Sequence, residues 1–213
     1  THAYPETSKD RWTQAALTVE GKLAQLDMTY AGSYLKRNVD TRQDYADYSY
    51  WYDVCCSYGE YMVNDAGDMV DPSQFITGKD KYNRYTHELR FSTDPNKRVR
   101  FVGGLFLQRQ EHGITQRYQV NDLADAISVP GWADTIWLTQ QERVDKDRAV
   151  FGEVSFDITD KLTATGGLRY FETENSLEGF FGFGAGFSSG TGEAACFDPN
   201  PYRGAPCRNL DKT

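Results

Sequence analysis

The side chains that could do chemistry in this chain are few and scattered. Three histidines, His2, His87 and His112, lie far apart, and only His87 opens a metal-binding spacing, in His87-Glu88-Leu89-Arg90-Phe91. A zinc-protease HExxH needs its second imidazole where Phe91 stands. Catalysis is therefore not expected, nor a resident metal or cofactor. Asp65, Asp68 and Asp71 match no calcium-loop spacing and read as solvated loop carboxylates. The run Gly179 to Gly190 has Gly-x-Gly spacing but no following Lys-Ser/Thr and no helix start, so it reads as a flexible loop rather than a phosphate cradle.

Recognition is better provided for. Tyr45, Tyr48, Tyr50, Trp51 and Tyr52 form the densest aromatic cluster, and two readings compete. The alternation of Tyr48, Tyr50 and Tyr52 suits the outward rings of an interfacial girdle or the end of an extended strand. Alternatively, aromatic faces in an exposed loop stack on sugars or flat chelates, which makes Tyr48, Tyr50, Trp51 and Tyr52 candidate ligand contacts. Cys196 and Cys207 flank FDPNPYRGAP, whose three prolines and one glycine bend the chain back, and the two thiols are expected to pair in an oxidising compartment. Cys55 and Cys56 are adjacent. A vicinal bridge and bonds to other loops both stay open for them.

The elements that would carry these residues are hairpins. From Arg148 to Tyr170, Val150, Gly152, Val154, Phe156 and Ile158 alternate with Phe151, Glu153, Ser155 and Asp157. Leu162 to Tyr170 repeats the pattern after a Thr159, Asp160, Lys161 turn. Two more hairpins share this pattern. One turns at Glu20, Gly21 and Lys22 and returns through Leu26, Met28, Tyr30, Gly32 and Tyr34. The other pairs Tyr85 to Phe91 with Val99 to Leu107 across Asp94, Pro95, Asn96 and Lys97. His87 then falls on an apolar row, where a packing or interface role is expected. Glu88, Arg90, Glu153 and Arg169 fall on the polar rows, with Glu153 and Arg169 placed as possible cross-strand neighbours.

The phrases VFGEVSFDITDKLTATGGLRYF and THELRFSTDPNKRVRFVGGLFLQRQ, and the wording from Trp137 to Asp147, resemble the hairpins of TonB-dependent outer-membrane receptors. The likeness runs through most of the chain. It implies an all-β fold in which residues 1–213 form part of an antiparallel transmembrane β-barrel of about 22 strands. It further implies active import of a scarce nutrient, such as a ferric siderophore, cobalamin or an oligosaccharide. Energy would come from TonB, through a plug domain that the chain does not carry. The implied setting is the outer membrane of a Gram-negative cell, with lipid and lipopolysaccharide as neighbours.

Composition and loop lengths fit this expectation. Hydrophobic residues make up only 39% of the chain against 14% aromatics, which suits half-buried strands better than a two-sided core. The longest apolar run, near Phe101 to Leu107, is far short of the roughly 18 residues a spanning helix needs. A net charge of −8 and a pI near 4.9 speak against a nucleic-acid surface. Short turns alternate with long connections, at about 38–82, 111–147 and from 174 onward without a returning strand, so one end of the sheet is expected to be heavily looped. The first connection holds nine carboxylates against Arg42, Lys79 and Lys81. Outer-membrane barrels have this asymmetry, with periplasmic turns and extracellular loops. Glu88, Arg90, Glu153 and Arg169 would then face the lumen, and Val154, Phe156, Leu168 and Met28 the lipid. Six strands are too few to close such a barrel, so the chain reads as a piece of a larger one. A passive porin or adhesin barrel is the alternative, and a soluble binding sandwich ranks third.

Overall fold

The computed structural model describes residues 2–49, 62–184 and 195–212. Seven strands form one antiparallel sheet in chain order: β1 (Thr7–Leu23), β2 (Leu26–Asp44), β3 (Gln74–Ser92), β4 (Val99–Val120), β5 (Thr135–Thr159), β6 (Leu162–Phe183) and β7 (Leu210–Lys212). The sheet is an open meander. Its first edge is β1 along its whole length, and on the far side β7 covers β6 only at Leu177–Gly179.

The anchor hairpin turns at Asp160 and Lys161, as expected, and the second turns within 93–98. The first does not turn at Glu20 to Lys22. Leu23 pairs with Leu26, and the reversal falls on Ala24 and Gln25, with Ala24 held at φ 56°. Gly21 misled the reading: it sits inside the ladder, opposite Met28. Glu153 and Arg169 are diagonal rather than direct neighbours, because Glu153 pairs with Gly167 and Arg169 with Phe151.

Strands run well beyond the stretches where apolar and polar residues alternate. The backbone ladder continues after both faces have become polar, so the long connections shrink to 45–73, 121–134 and 184–209. The third does come back, as β7. Part of the glycine-rich run is strand rather than loop: Gly179 to Phe183 belong to β6, Phe180 is buried, and Phe181 and Phe183 flank Trp137. Gly179 is required there, with φ at 142° and no room for a Cβ against the Gln140 carbonyl.

The register lines up the expected apolar rows across six strands. Val19, Tyr30, Leu89, Leu105, Val150 and Tyr170 share one row, and Gly21, Met28, Phe91, Gly103, Gly152 and Leu168 share the next on the same face. The opposite face carries Glu88, Arg90, Glu153 and Arg169. It also carries Phe106, Phe151 and Phe171, so it is mixed rather than purely polar. Gly104 makes room for one of these rings: a Cβ there would lie 2.9 Å from the Phe151 ring.

Packed core is found at the long-loop end, not along the sheet. Met62, Val120, Leu123 and Ile136 form one buried cluster, and Val129, Leu138, Phe180, Ala205 and Cys207 form another. The connections 62–73, 121–134 and 195–209 therefore make a folded head on one end of the sheet. Between head and turns the apolar rows have little cover from the described residues: Leu105 is 53% exposed and Leu168 88%.

Candidate functional site

Exposure divides the two faces in an unusual sense. On β3 and β4, Tyr82, Arg84, Thr86, Glu88, Phe106, Gln108, Gln110 and His112 are half-buried. Of their alternates, Lys81, Tyr85, His87, Leu105, Leu107 and Arg109 are exposed, and Asn83 and Leu89 are half-buried. A curled sheet crowds the side chains of its concave side and spreads those of its convex side. On β3 and β4 the mixed face is thus the sheltered one, and the apolar face is the open one. In a water-soluble domain the hydrophobic effect would select the reverse.

The sheltered face carries a polar and aromatic wall just below the head. Trp12, Arg37, Tyr82, His112, Arg143 and Leu177 occupy one register row. Tyr82 and His112 stack at 3.9 Å between ring centroids, and the Arg37 guanidinium lies 5.7 Å over the Tyr82 ring. The neighbouring row locks these groups in place. Asp10 accepts from Arg37 Nε and Nη2, and His112 Nε2 lies 2.8 Å from Asp80 Oδ1. Further along, Gln108 Nε2 donates to Asp147 at 2.9 Å, and Arg143 to Asp145 at 2.9 Å. Such an array presents a flat stack bordered by fixed donors and acceptors, the chemistry that holds a polar, partly planar solute. Among the described residues no three metal-ligating side chains converge.

Of the residues singled out in the sequence, Glu88, Arg90, Glu153 and Arg169 lie on the sheltered face, lower down. Glu88 and Arg90 form an ion pair, and Arg169 sits 5.4 Å over the Phe106 ring. Tyr48 lies at the head, in a short helical turn over residues 46–49, with its ring 4.7 Å from Tyr45. Extended alternation thus does not hold at Tyr48. Tyr50, Trp51, Tyr52, Cys55 and Cys56 lie outside the described residues. His87 is on the apolar face, where Tyr30 Oη meets its Nδ1 at 2.8 Å, so a packing role fits it. Sequence reading missed the row from Trp12 to Arg143. Its members come from five strands, and only the ladder register brings them together.

The head is clasped by a disulfide between Cys196 and Cys207, with Cα atoms 6.0 Å apart. The clasp is a small hairpin, bridged at Asp198 to Arg208 and at Tyr202 to Ala205. It docks through Trp132 Nε1, which donates to the Gly204 carbonyl at 2.8 Å, and through Ala205, fully buried against Val129 and Leu138. Tyr202 donates to Glu178 at 3.2 Å, and its phenol is pushed up to about 12, chiefly by burial. The Asp198 carboxyl is held below its ordinary value, first by Arg208, 2.7 Å away, and then by the Asn200 N–H.

A lowered carboxylate pKa contributes stability that is present above the unfolded value, near about 3.9. That stability is lost as the pH falls through the folded value. Amide protection factors at Asn200 and Arg208 should therefore hold from neutral pH to about pH 5 and drop below about pH 4. Asp198→Asn should show the low protection already at neutral pH. Equal protection in variant and wild type would mean that the ion pair does not hold the clasp.

Comparison with protein-family models and with curated proteins finds no match for the chain.

Proposed function

We propose that this sheet is part of the wall of an outer-membrane barrel of the TonB-dependent receptor type, importing a scarce nutrient. One observation carries the membrane reading: across β3, β4 and β5 the apolar row is the more exposed one, at Tyr85, Leu105, Leu107, Val150, Val154 and Phe156, while the alternate row is mostly half-buried. Hydrocarbon would cover the first set and a lumen would hold the second.

The edges of the apolar band add a geometric argument. Its upper limit is Tyr34 on β2 and Tyr170 on β6, yet the β6 residue in the Tyr34 row is Glu174, so the limit slips four residues. At the lower edge, Leu26 on β2 lies two residues beyond Met28, in line with Gly166 on β6, while the band ends at Leu162, again four residues on. Four residues at about 3.3 Å, over four strand spacings of about 4.8 Å, give a strand inclination of about 35°. Strands that cross a bilayer in a barrel tilt by about 35–45°. The long free edge of β1 and the mostly free edge of β6 then call for further strands, because unpaired backbone groups are not tolerated in hydrocarbon.

The folded head stands on the extracellular side and the tight turns on the periplasmic side. The Tyr82 and His112 stack lines the solute path below the head. Active import is the part that rests on resemblance, with energy reaching the barrel through a plug and TonB.

Uptake of labelled ferric siderophore, cobalamin and oligosaccharide by cells with and without the protein tests this reading. Uptake of one of the three should depend on the protein and collapse when a protonophore is added. Protein-dependent uptake that ignores the protonophore would point to a passive porin instead. No protein-dependent uptake of any of the three would count against transport of these nutrients.

A further inference from the structure

The apolar face ends, toward the head, in a belt of charge that is not evenly signed. Over β1 to β4, the four rows from Ala15, Tyr34, Tyr85 and Arg109 up to Lys9, Asp40, Lys79 and Thr115 carry six cations and two carboxylates. Six minus two leaves a local net of +4, on a chain whose formal net charge is −8. The two carboxylates, Asp40 and Glu111, are taken by Arg11 at 3.2 Å and Arg109 at 2.9 Å. Lys9, Lys36, Lys79 and Lys81 make no ion pair among the described residues, and all four are exposed.

The cation excess is local. On β5 and β6 the same four rows carry a single cation, Lys146, 3.2 Å from Glu174, and two further carboxylates, Glu142 and Glu178, which Arg203 and Arg208 of the head meet. At the other edge of the band the same face stays apolar to the strand ends, at Leu23, Leu26, Val99 and Leu162. Cations therefore gather on one side of the sheet, at one end, directly above the apolar rows.

We infer that this patch binds the phosphates of a phosphorylated lipid headgroup in the leaflet on the head side. The inference rests on reading the sheet as a membrane wall. A lipid is the ligand that satisfies both halves of the surface at once: its acyl chains lie on the rows of Tyr30, Leu89 and Leu105, and its headgroup phosphates meet Lys36, Lys81 and Arg109. The Tyr34 and Tyr85 rings, 4.9 Å apart, sit at the boundary between the two. Lysine stems lie along apolar surface while their ammonium groups reach the headgroup layer. Strand spacing sets these cations roughly 5–10 Å apart, the scale of a two-phosphate headgroup.

The test uses the complete barrel, delipidated in detergent and offered a bis-phosphorylated glycolipid or its dephosphorylated counterpart. Retention is read by native mass spectrometry. Each cation removed at an anionic lipid surface should lower retention roughly fivefold, so Lys36→Gln with Lys81→Gln and Arg109→Gln should lower it about a hundredfold. Lys97→Gln with Lys161→Gln, at the turn end, should leave it unchanged, and the dephosphorylated lipid should be held weakly by every form. Equal retention by the triple variant and wild type, or equal retention of both lipids, overturns the inference. If the triple variant does not assemble, a salt titration of the wild type decides: retention should fall steeply with salt, and a flat response overturns the inference. A wild-type barrel that fails to insert into membranes would instead sink the membrane reading beneath it.

Discussion

Leu168→Arg is expected to destabilise the assembled protein by about 2 to 4 kcal/mol, the cost of a guanidinium on the lipid face near the bilayer midplane. Leu168 is 88% exposed and shares its row with Met28, Phe91, Gly103 and Gly152. By ordinary rules a side chain so open tolerates nearly any polar replacement, within about 0.5 kcal/mol. The two accounts thus differ several-fold in energy at one position. Arg169→Leu, the next residue, points to the sheltered side, where it gives up a contact with Phe106 and meets no hydrocarbon. Its cost should be about 1 kcal/mol or less. Urea unfolding in lipid bilayers measures both. A neutral Leu168→Arg would mean that water, not lipid, covers this face.

The second large effect is expected at the head. Replacing Cys196 and Cys207 together by Ser should destabilise the clasp by about 3 kcal/mol, from the closure entropy of a loop of this length. The bond spans a sequence separation of 11. Its loss should spread, because Cys207 and Ala205 are buried with Val129, Leu138 and Phe180, and Trp132 hydrogen-bonds the Gly204 carbonyl. Hydrogen exchange should rise at Tyr202 to Arg208 and around Val129 to Trp132, while the ladder between β2 and β3 keeps its protection. Exchange confined to the clasp itself would show that the head is not a cooperative unit.

How far the sequence carried is best judged at particular residues. Period-two alternation made the faces of Leu168 and Arg169, or Val154 and Glu153, readable at once, since each lies within an apolar row several residues long. It stopped near Tyr34 and Leu107, where both faces turn polar, although β2 runs to Asp44 and β4 to Val120. Hydropathy reports what solvates a face, and a strand with water on both sides has no such signature. The first turn was misplaced because Gly21 resembles a turn residue, whereas the bend uses Ala24 in a left-handed conformation that sequence does not advertise. The pairing of Cys196 with Cys207 was legible from the prolines between them. The stack of Tyr82 on His112 was not, because thirty residues and a hairpin separate the two, and only the register of β3 against β4 sets them side by side.

The central claim is that the open apolar face meets lipid and the sheltered face meets water. Spin labels placed one at a time along β6, from Ala164→Cys to Phe171→Cys, in a background with the native cysteines replaced by Ser, test it most directly. Relaxation by oxygen reports hydrocarbon, and relaxation by a water-soluble nickel chelate reports the aqueous side. With the protein in bilayers, positions 164, 166, 168 and 170 should favour oxygen and 165, 167, 169 and 171 the nickel chelate, in strict alternation. Uniform access to the nickel chelate, or alternation in the opposite phase, would contradict the account.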